Sequence, residues 1–188
     1  MKRVGGKPGK RTAGNRGSRV SKREYYLGIA EQVAIRSTCL RRNFGAVIVK
    51  NDQIVSTGYN GAPRKTEDCL SVGFCYRDKV GAKRGEKYEL CRAVHAEANA
   101  IIHAARFDML GGTLYVVGLD PATRERVEDA GCCRMCKRMI INAGIDTVVI
   151  TIGKKRTREF SVAGWQRTNL GEISRKGGRA KATQVSGY

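Results

Sequence analysis

Four residues of this chain have the types and the spacing for hydrolytic metal chemistry: His95, Glu97, Cys133 and Cys136. His95-Ala96-Glu97 opens one Ala-rich stretch, and Cys133-Arg134-Met135-Cys136 opens a second stretch with helical character. Zinc takes imidazole and thiolate ligands in a tetrahedron, and three protein ligands leave the fourth corner for water. A Cys-x-x-Cys at a helix start lets both sulfurs face one ion, while the positive end of the helix dipole favours the thiolates. A metal held this way lowers the pKa of its water towards ~7. A carboxylate beside it can take a proton from that water and return it to a leaving amine. Glu97, two residues past the histidine, is placed for that work. The expected site is therefore His95, Cys133 and Cys136 on the metal, with Glu97 moving protons. A structural zinc, or a redox dithiol with an unrelated histidine, is the alternative.

Several elements must position these residues. Ser21 can cap a helix running to about residue 36, with Tyr26, Ile29, Ala30 and Val33 on one apolar side. Residues 44–49 read as a buried strand, Asn51-Asp52 as a turn and 54–59 as a second strand, making a hairpin. Residues 60–92 form a long connection that needs something to organise it. A helix is expected over 94–106, a strand over 113–118, a polar loop over 119–131, a helix over 133–142 and a strand over 146–152. Residues 153–170 hint at a last short element through Phe160, Val162 and Trp165. This order implies an α/β sandwich, a mixed sheet with helices on its faces. Either metal motif alone is common. Together, in this order and each at a helix start, they are the signature of zinc nucleobase deaminases, with the glutamate as general acid/base.

The chain has 188 residues and a formal charge of +19, which suggests one domain able to bury a core without disulfides. The charge is mostly terminal. Residues 1–23 hold nine basic side chains and residues 175–188 four, neither segment with an acid, which leaves +6 for residues 24–174. The expected division is a basic disordered tail over 1–20, a deaminase domain over 21–170 and a second basic disordered tail over 171–188. Such tails have too few apolar side chains to offset the entropy of ordering them. They are solvated ends, or arms that touch nucleic acid. No apolar run of 7–15 residues follows the basic start as in a secretory signal, and no stretch approaches the ~20 apolar residues of a membrane span. A cytoplasmic protein is expected, in which seven cysteines point to metal sites or free thiols rather than disulfides.

Residues 41–49 (Arg-Arg-Asn-Phe-Gly-Ala-Val-Ile-Val), 56–63 (Ser-Thr-Gly-Tyr-Asn-Gly-Ala-Pro), 93–101 (Ala-Val-His-Ala-Glu-Ala-Asn-Ala-Ile), 113–117, 133–136 and 140–145 together resemble the deoxycytidylate deaminase family, in order over about residues 25–152. Gly58-Tyr59-Asn60-Gly61 and the stretch around His95 favour this branch over tRNA adenosine deaminases and free cytidine deaminases. The resemblance implies a three-layer α/β sandwich with a five-stranded mixed sheet, a catalytic zinc between two helix starts, and hydrolysis of dCMP to dUMP and ammonia. It implies that Asn60 bonds the substrate sugar or base and that the Ala96 N–H faces the pyrimidine carbonyl. It also implies a homo-oligomer, and in some members a switch by dCTP and dTTP through the region of residues 58–61.

The chain departs from the family in two places. Cys132 stands where a proline usually precedes the first cysteine, which adds a thiol that could compete for the metal. Leu119–Ala130 is inserted between strand and motif, near the expected active-site mouth. Cys39, Cys69, Cys75 and Cys91 are either the ligands of a second, structural zinc of the kind some family members carry, or buried free thiols. His103 is read as a packing or surface residue. Arg64, Lys65, Arg92 and Arg106 are candidates for the substrate phosphate. Two other functions stay open: a deaminase of tRNA or single-stranded DNA using the basic tails, and a non-catalytic module, against which the intact Glu97 speaks.

Overall fold

The structure is a computed structural model that describes residues 19–83 and 85–168. Apart from residues 19 and 20, the two expected tails lie outside the described residues. Helix α1 (Lys22–Ala34) starts where the Ser21 hydroxyl accepts the N–H of Glu24 at 3.2 Å, the cap that the sequence predicts. Strands β1 (Asn43–Lys50) and β2 (Gln53–Tyr59) form the expected antiparallel hairpin. Asn51 and Asp52 both take positive φ, 51° and 63°, a two-residue turn whose twist matches that of the strands. The 60–92 connection holds two short helices, α2 (Cys69–Val72) and α3 (Tyr76–Lys79), and a 3-10 turn at Tyr88–Leu90. Then follow α4 (Ala96–Ile102), α5 (Arg106–Met109), β3 (Thr113–Leu119), α6 (Arg134–Ala143), β4 (Thr147–Ile152), β5 (Arg156–Ser161) and α7 (Val162–Arg167).

The five strands form one mixed sheet in the order β2-β1-β3-β4-β5, with β3 and β4 parallel and the other pairs antiparallel. Alternation along the strands sorts the side chains into two layers. Ala46, Ile48, Leu114, Val116, Val148 and Ile150 face α4 and α6. Val47, Val49, Val117 and Val149 face Tyr26, Leu27, Ala30 and Ala34 of α1. Strand β1 is therefore covered on both sides, which is why it reads as a continuous apolar run rather than an alternating one. Two glycines set how closely the layers approach. A Cβ on Gly45 would lie 2.0 Å from the Ala30 carbonyl oxygen, and one on Gly58 would lie 2.3 Å from the Ala100 nitrogen.

Three expectations change. The helix predicted over 94–106 is shorter and breaks after Ile102, with α5 resuming at Arg106. Alanine propensity favours continuation, but tertiary bonds stop it. The ring Nδ1 of His103 pairs with the Thr57 carbonyl at 3.0 Å, and Ser56 Oγ donates to the Ala100 carbonyl at 2.7 Å. The buried stripe of α1 centres on Leu27, Ala30 and Ala34, so Ile29 and Val33 pack at its margin. The ambiguous tail of the domain is a strand and a helix, with Phe160 packed against Trp165. Among the described residues, no helix is long and apolar enough to cross a membrane.

Candidate active site

Helices α4 and α6 lie against one another on the same face of the sheet, so their N-terminal ends meet. His95 immediately precedes α4, with extended backbone at φ −69° and ψ 153°. Cys133 holds the same place before α6, at φ −67° and ψ 165°. Its Sγ accepts the N–H of Cys136 at 3.4 Å, so the helix turn itself aims both sulfurs one way. The His95 Nδ1 lies 3.4 Å from Cys133 Sγ and 3.3 Å from Cys136 Sγ. Nitrogen and sulfur ligands on one tetrahedral zinc stand roughly 3.6 Å apart, from their usual bond lengths. The donor set and its spacing therefore fit zinc. All three ligand atoms lie within 4.8 Å of one another, and no other such group occurs among the described residues.

The thiols are already electrostatically prepared. The Cys133 thiol is pulled down to about 4, first by its hydrogen bond with Cys136 and, against burial, by His95. The same bond and burial push Cys136 up, so the two sulfurs share one proton that metal binding would release. At His95 burial opposes the charged ring, but the bond to Cys133 and the charge of Glu97 shift it upward overall. Glu97 is 4% exposed. Burial pushes its pKa up, with His95 pulling the other way, which suits a carboxyl that must both accept and give a proton.

These groups open on a cavity of about 390 Å³ whose lining includes His95, Ala96, Glu97, Cys133, Phe44 and Asn60. Ala96 begins α4, where a helix leaves its N–H groups without intrahelical partners. The Asn60 amide is committed to the start of β1, with Oδ1 accepting the Phe44 N–H at 2.7 Å and Nδ2 donating to the Arg42 carbonyl at 2.9 Å. Its remaining lone pair and proton are what a substrate could use. Cys132 is outside the His95–Cys133–Cys136 group; its thiol is buried, and burial first, then the neighbouring Glu97 carboxyl, pushes its pKa up.

The insertion ends at the cavity, which Gly131 lines. None of residues 119–130 lines the cavity. Arg126 fastens the segment to α1, donating from Nε and Nη2 to the same Glu31 oxygen, Oε2, at 3.2 and 2.9 Å, with a longer contact to Glu24 at 3.6 Å. Of the four phosphate candidates, only Arg92 lines the cavity. Arg64 points to the His103 ring, and Arg106 donates to the Asn142 carbonyl. The lining arginines that the sequence reading missed are Arg41, Arg42 and Arg77.

Cys39, Cys69, Cys75 and Cys91 all line the same cavity as free thiols. Burial first, and then the neighbouring thiols, push up the pKa of Cys39 and of Cys69, the latter to about 11. Backbone N–H groups of Arg42 and Arg41 donate to the Cys39 sulfur. The four sulfurs are nonetheless not drawn together as tightly as the His95 group.

Residues 20–152 match the family described as the cytidine and deoxycytidylate deaminase zinc-binding region. A deoxycytidylate deaminase of Mycobacterium phage D29 is 43% identical over 131 residues, spanning 67% of this chain and 91% of the phage protein. The deoxycytidylate deaminase of Saccharomyces cerevisiae is 35% identical over 127 residues, which are 66% of this chain but 36% of the yeast protein. The solved apo structure of dCMP deaminase from cyanophage S-TIM5 aligns at a TM-score of 0.48 with 25% identity, over 68% of this chain and 80% of that one. With its two metal motifs at adjoining helix starts, the chain belongs to the cytidine and deoxycytidylate deaminase zinc-binding family.

Proposed function

We propose that this protein hydrolyses the exocyclic amine of dCMP, giving dUMP and ammonia. The observation that carries this reading is Glu97, buried beside the His95–Cys133–Cys136 group on the wall of a cavity of nucleotide size. The relatives named deoxycytidylate deaminase support dCMP as the substrate. Zinc held by His95, Cys133 and Cys136 supplies Lewis-acid activation of a water molecule. Glu97 would take one proton from the attacking water as its oxygen bonds to C4 of the cytosine and pass it to the ring nitrogen, then take the second from the new C4 hydroxyl and pass it to the amine. The C4–N bond breaks, ammonia leaves and a carbonyl remains, with no change of redox state. The Ala96 N–H donates to the pyrimidine carbonyl, and Asn60 lies where it can hold the sugar or base. Cys132 lies beside the Glu97 carboxyl.

Zinc-loaded protein incubated with dCMP, followed by ultraviolet absorbance as cytosine becomes uracil, tests the reading. Turnover is expected in wild type and loss of it in Glu97→Gln. A second reading, deamination of a base in tRNA or single-stranded DNA, is favoured by the thirteen basic residues in the terminal segments. Removal of residues 1–20 separates the two: turnover of dCMP persists if the substrate is a nucleotide, and binding to an oligonucleotide is lost if it is a strand.

Two accompanying readings have their own tests. Cys39, Cys69, Cys75 and Cys91 hold a second, structural zinc that orders the 60–92 connection, supported by their lining one cavity and by the backbone N–H groups beside Cys39. Metal analysis should then give two zinc ions per chain, and one in Cys39→Ser. The chain self-associates, supported by Ile102 and Phe107, 66% and 78% exposed; light scattering at the mass of a single chain would refute this.

A further inference from the structure

The cavity carries charge that the deamination chemistry does not use. Among the described residues, four arginines line the cavity, Arg41, Arg42, Arg77 and Arg92, against two carboxylates, Asp78 and Glu97. Arg77 is the unusual one. It is 7% exposed, and no salt bridge joins it to a carboxylate among the described residues. Its Nη2 donates to the Glu86 carbonyl at 2.6 Å and the Lys83 carbonyl at 3.3 Å. Its Nε is buried with no hydrogen-bond partner among the described residues. The guanidinium lies 4.4 Å over the Tyr88 ring, and that ring stands edge-on to His95 at 4.9 Å. Arg41 is fastened to the same loop, through Asp78 at 3.0 Å and the Ala82 carbonyl at 3.2 Å. Its Nη1 is likewise buried without a partner.

A buried charge without a counterion is costly, and so is each unpaired donor. Arg77 is such a charge, and the cavity it lines also holds a second unpaired guanidinium donor on Arg41, whose charge Asp78 already meets; together they call for an anion. The planar guanidinium fork matches a phosphate in geometry as well as charge. Tyr88, between Arg77 and the metal ligand His95, spaces that anion from the reacting ring. We propose that Arg77, assisted by Arg41, holds the 5′-phosphate of the substrate nucleotide and sets the preference for a nucleoside monophosphate over the free nucleoside. This rests on the nucleotide-deamination reading above and deepens it.

The test compares dCMP with deoxycytidine, which lacks the phosphate, using zinc-loaded full-length wild type, Arg77→Met, Arg77→Lys and Arg41→Met. Wild type should favour dCMP in kcat/KM. Arg77→Met should lower kcat/KM for dCMP by roughly 10- to 100-fold, mainly through KM, and leave that for deoxycytidine within about twofold. Arg77→Lys should recover part of the preference, and Arg41→Met should reduce it less. Equal losses on both substrates would assign Arg77 to the support of Tyr88 and His95 and overturn the inference, as would an unchanged dCMP rate. If Arg77→Met does not fold, Arg77→Lys and Arg41→Met read the same ratio, and an unaltered ratio in both overturns it. Wild type that deaminates both substrates equally refutes the phosphate site alone. Wild type that deaminates neither refutes the proposed function and this inference together.

Discussion

Substituting Gly58 by alanine tests whether the distance between β2 and α4 sets the active-site geometry. A Cβ at this position would sit 2.3 Å from the Ala100 nitrogen, 2.4 Å from the Ala96 carbonyl oxygen and 2.9 Å from the Asn99 carbonyl carbon. All three are backbone atoms of α4, so no rotamer change relieves the clash. Ordinary contact begins at 3.4 Å, so the helix must move away by about 1 Å. His95 and Glu97 ride on the start of that helix. Metal ligands tolerate shifts of only ~0.2 Å, and a 1 Å misplacement costs on the order of 100-fold in rate. Overpacking of this kind costs about 1–3 kcal/mol of stability, a fall in Tm of roughly 3–10 °C for a domain of this size. Gly58→Ala should therefore fold, melt earlier, bind zinc more weakly and lose about two orders of magnitude in kcat/KM for dCMP. Gly28→Ala is the control. Nothing lies within 4 Å of its added Cβ, and in a helix interior the change should stabilise by about 0.5–1 kcal/mol. Steady-state kinetics and calorimetry on both variants decide. A Gly58→Ala enzyme with unchanged kcat/KM would refute the argument that this close approach positions the site.

Glu97→Gln should retain bound zinc by metal analysis while kcat falls by about 10²- to 10⁴-fold; a loss of zinc instead would mean that the carboxyl is a ligand. Arg126→Ala removes a half-buried ion pair with Glu31 and should cost about 1–2 kcal/mol in denaturant unfolding. Its KM for dCMP should stay unchanged because the insertion does not line the cavity; a changed KM would restore the insertion to the substrate site. The Tyr26 hydroxyl donates to Asp52 Oδ1 at 2.7 Å, and that bond first, with burial, pushes its pKa up to about 12. The folded state thus holds this proton more tightly than the unfolded one. The resulting stability is fully present below pH ~10 and is lost as pH rises through about 12. Tyr26→Phe should lower stability at neutral pH by roughly 0.5–1.5 kcal/mol and flatten the alkaline fall in Tm; an alkaline profile identical to wild type would refute the linkage.

His95, Glu97, Cys133 and Cys136 were legible from the chain alone because ligand chemistry restricts residue type and helix geometry restricts spacing. The hairpin was legible for a similar local reason, since Asn51-Asp52 carries its own turn between two apolar runs. Features that depend on distant partners were not. The end of α4 is decided by Ser56 and Thr57 on β2, against the alanine propensity of its own sequence. Strand β5 has an edge-strand sequence, Arg-Thr-Arg-Glu-Phe-Ser, whose charges conceal its pairing with β4. Cys132, adjacent in sequence to Cys133, is buried beside the Glu97 carboxyl and outside the His95–Cys133–Cys136 group. Arg77 was overlooked because an arginine is exposed by default, and only tertiary packing could bury it over Tyr88 on the cavity wall. What the sequence by itself determined is the chemistry, set by side-chain identity at short range. What only the tertiary structure decided is the shape and charge of the space around it, because burial and electrostatic partnership arise between residues far apart in the chain.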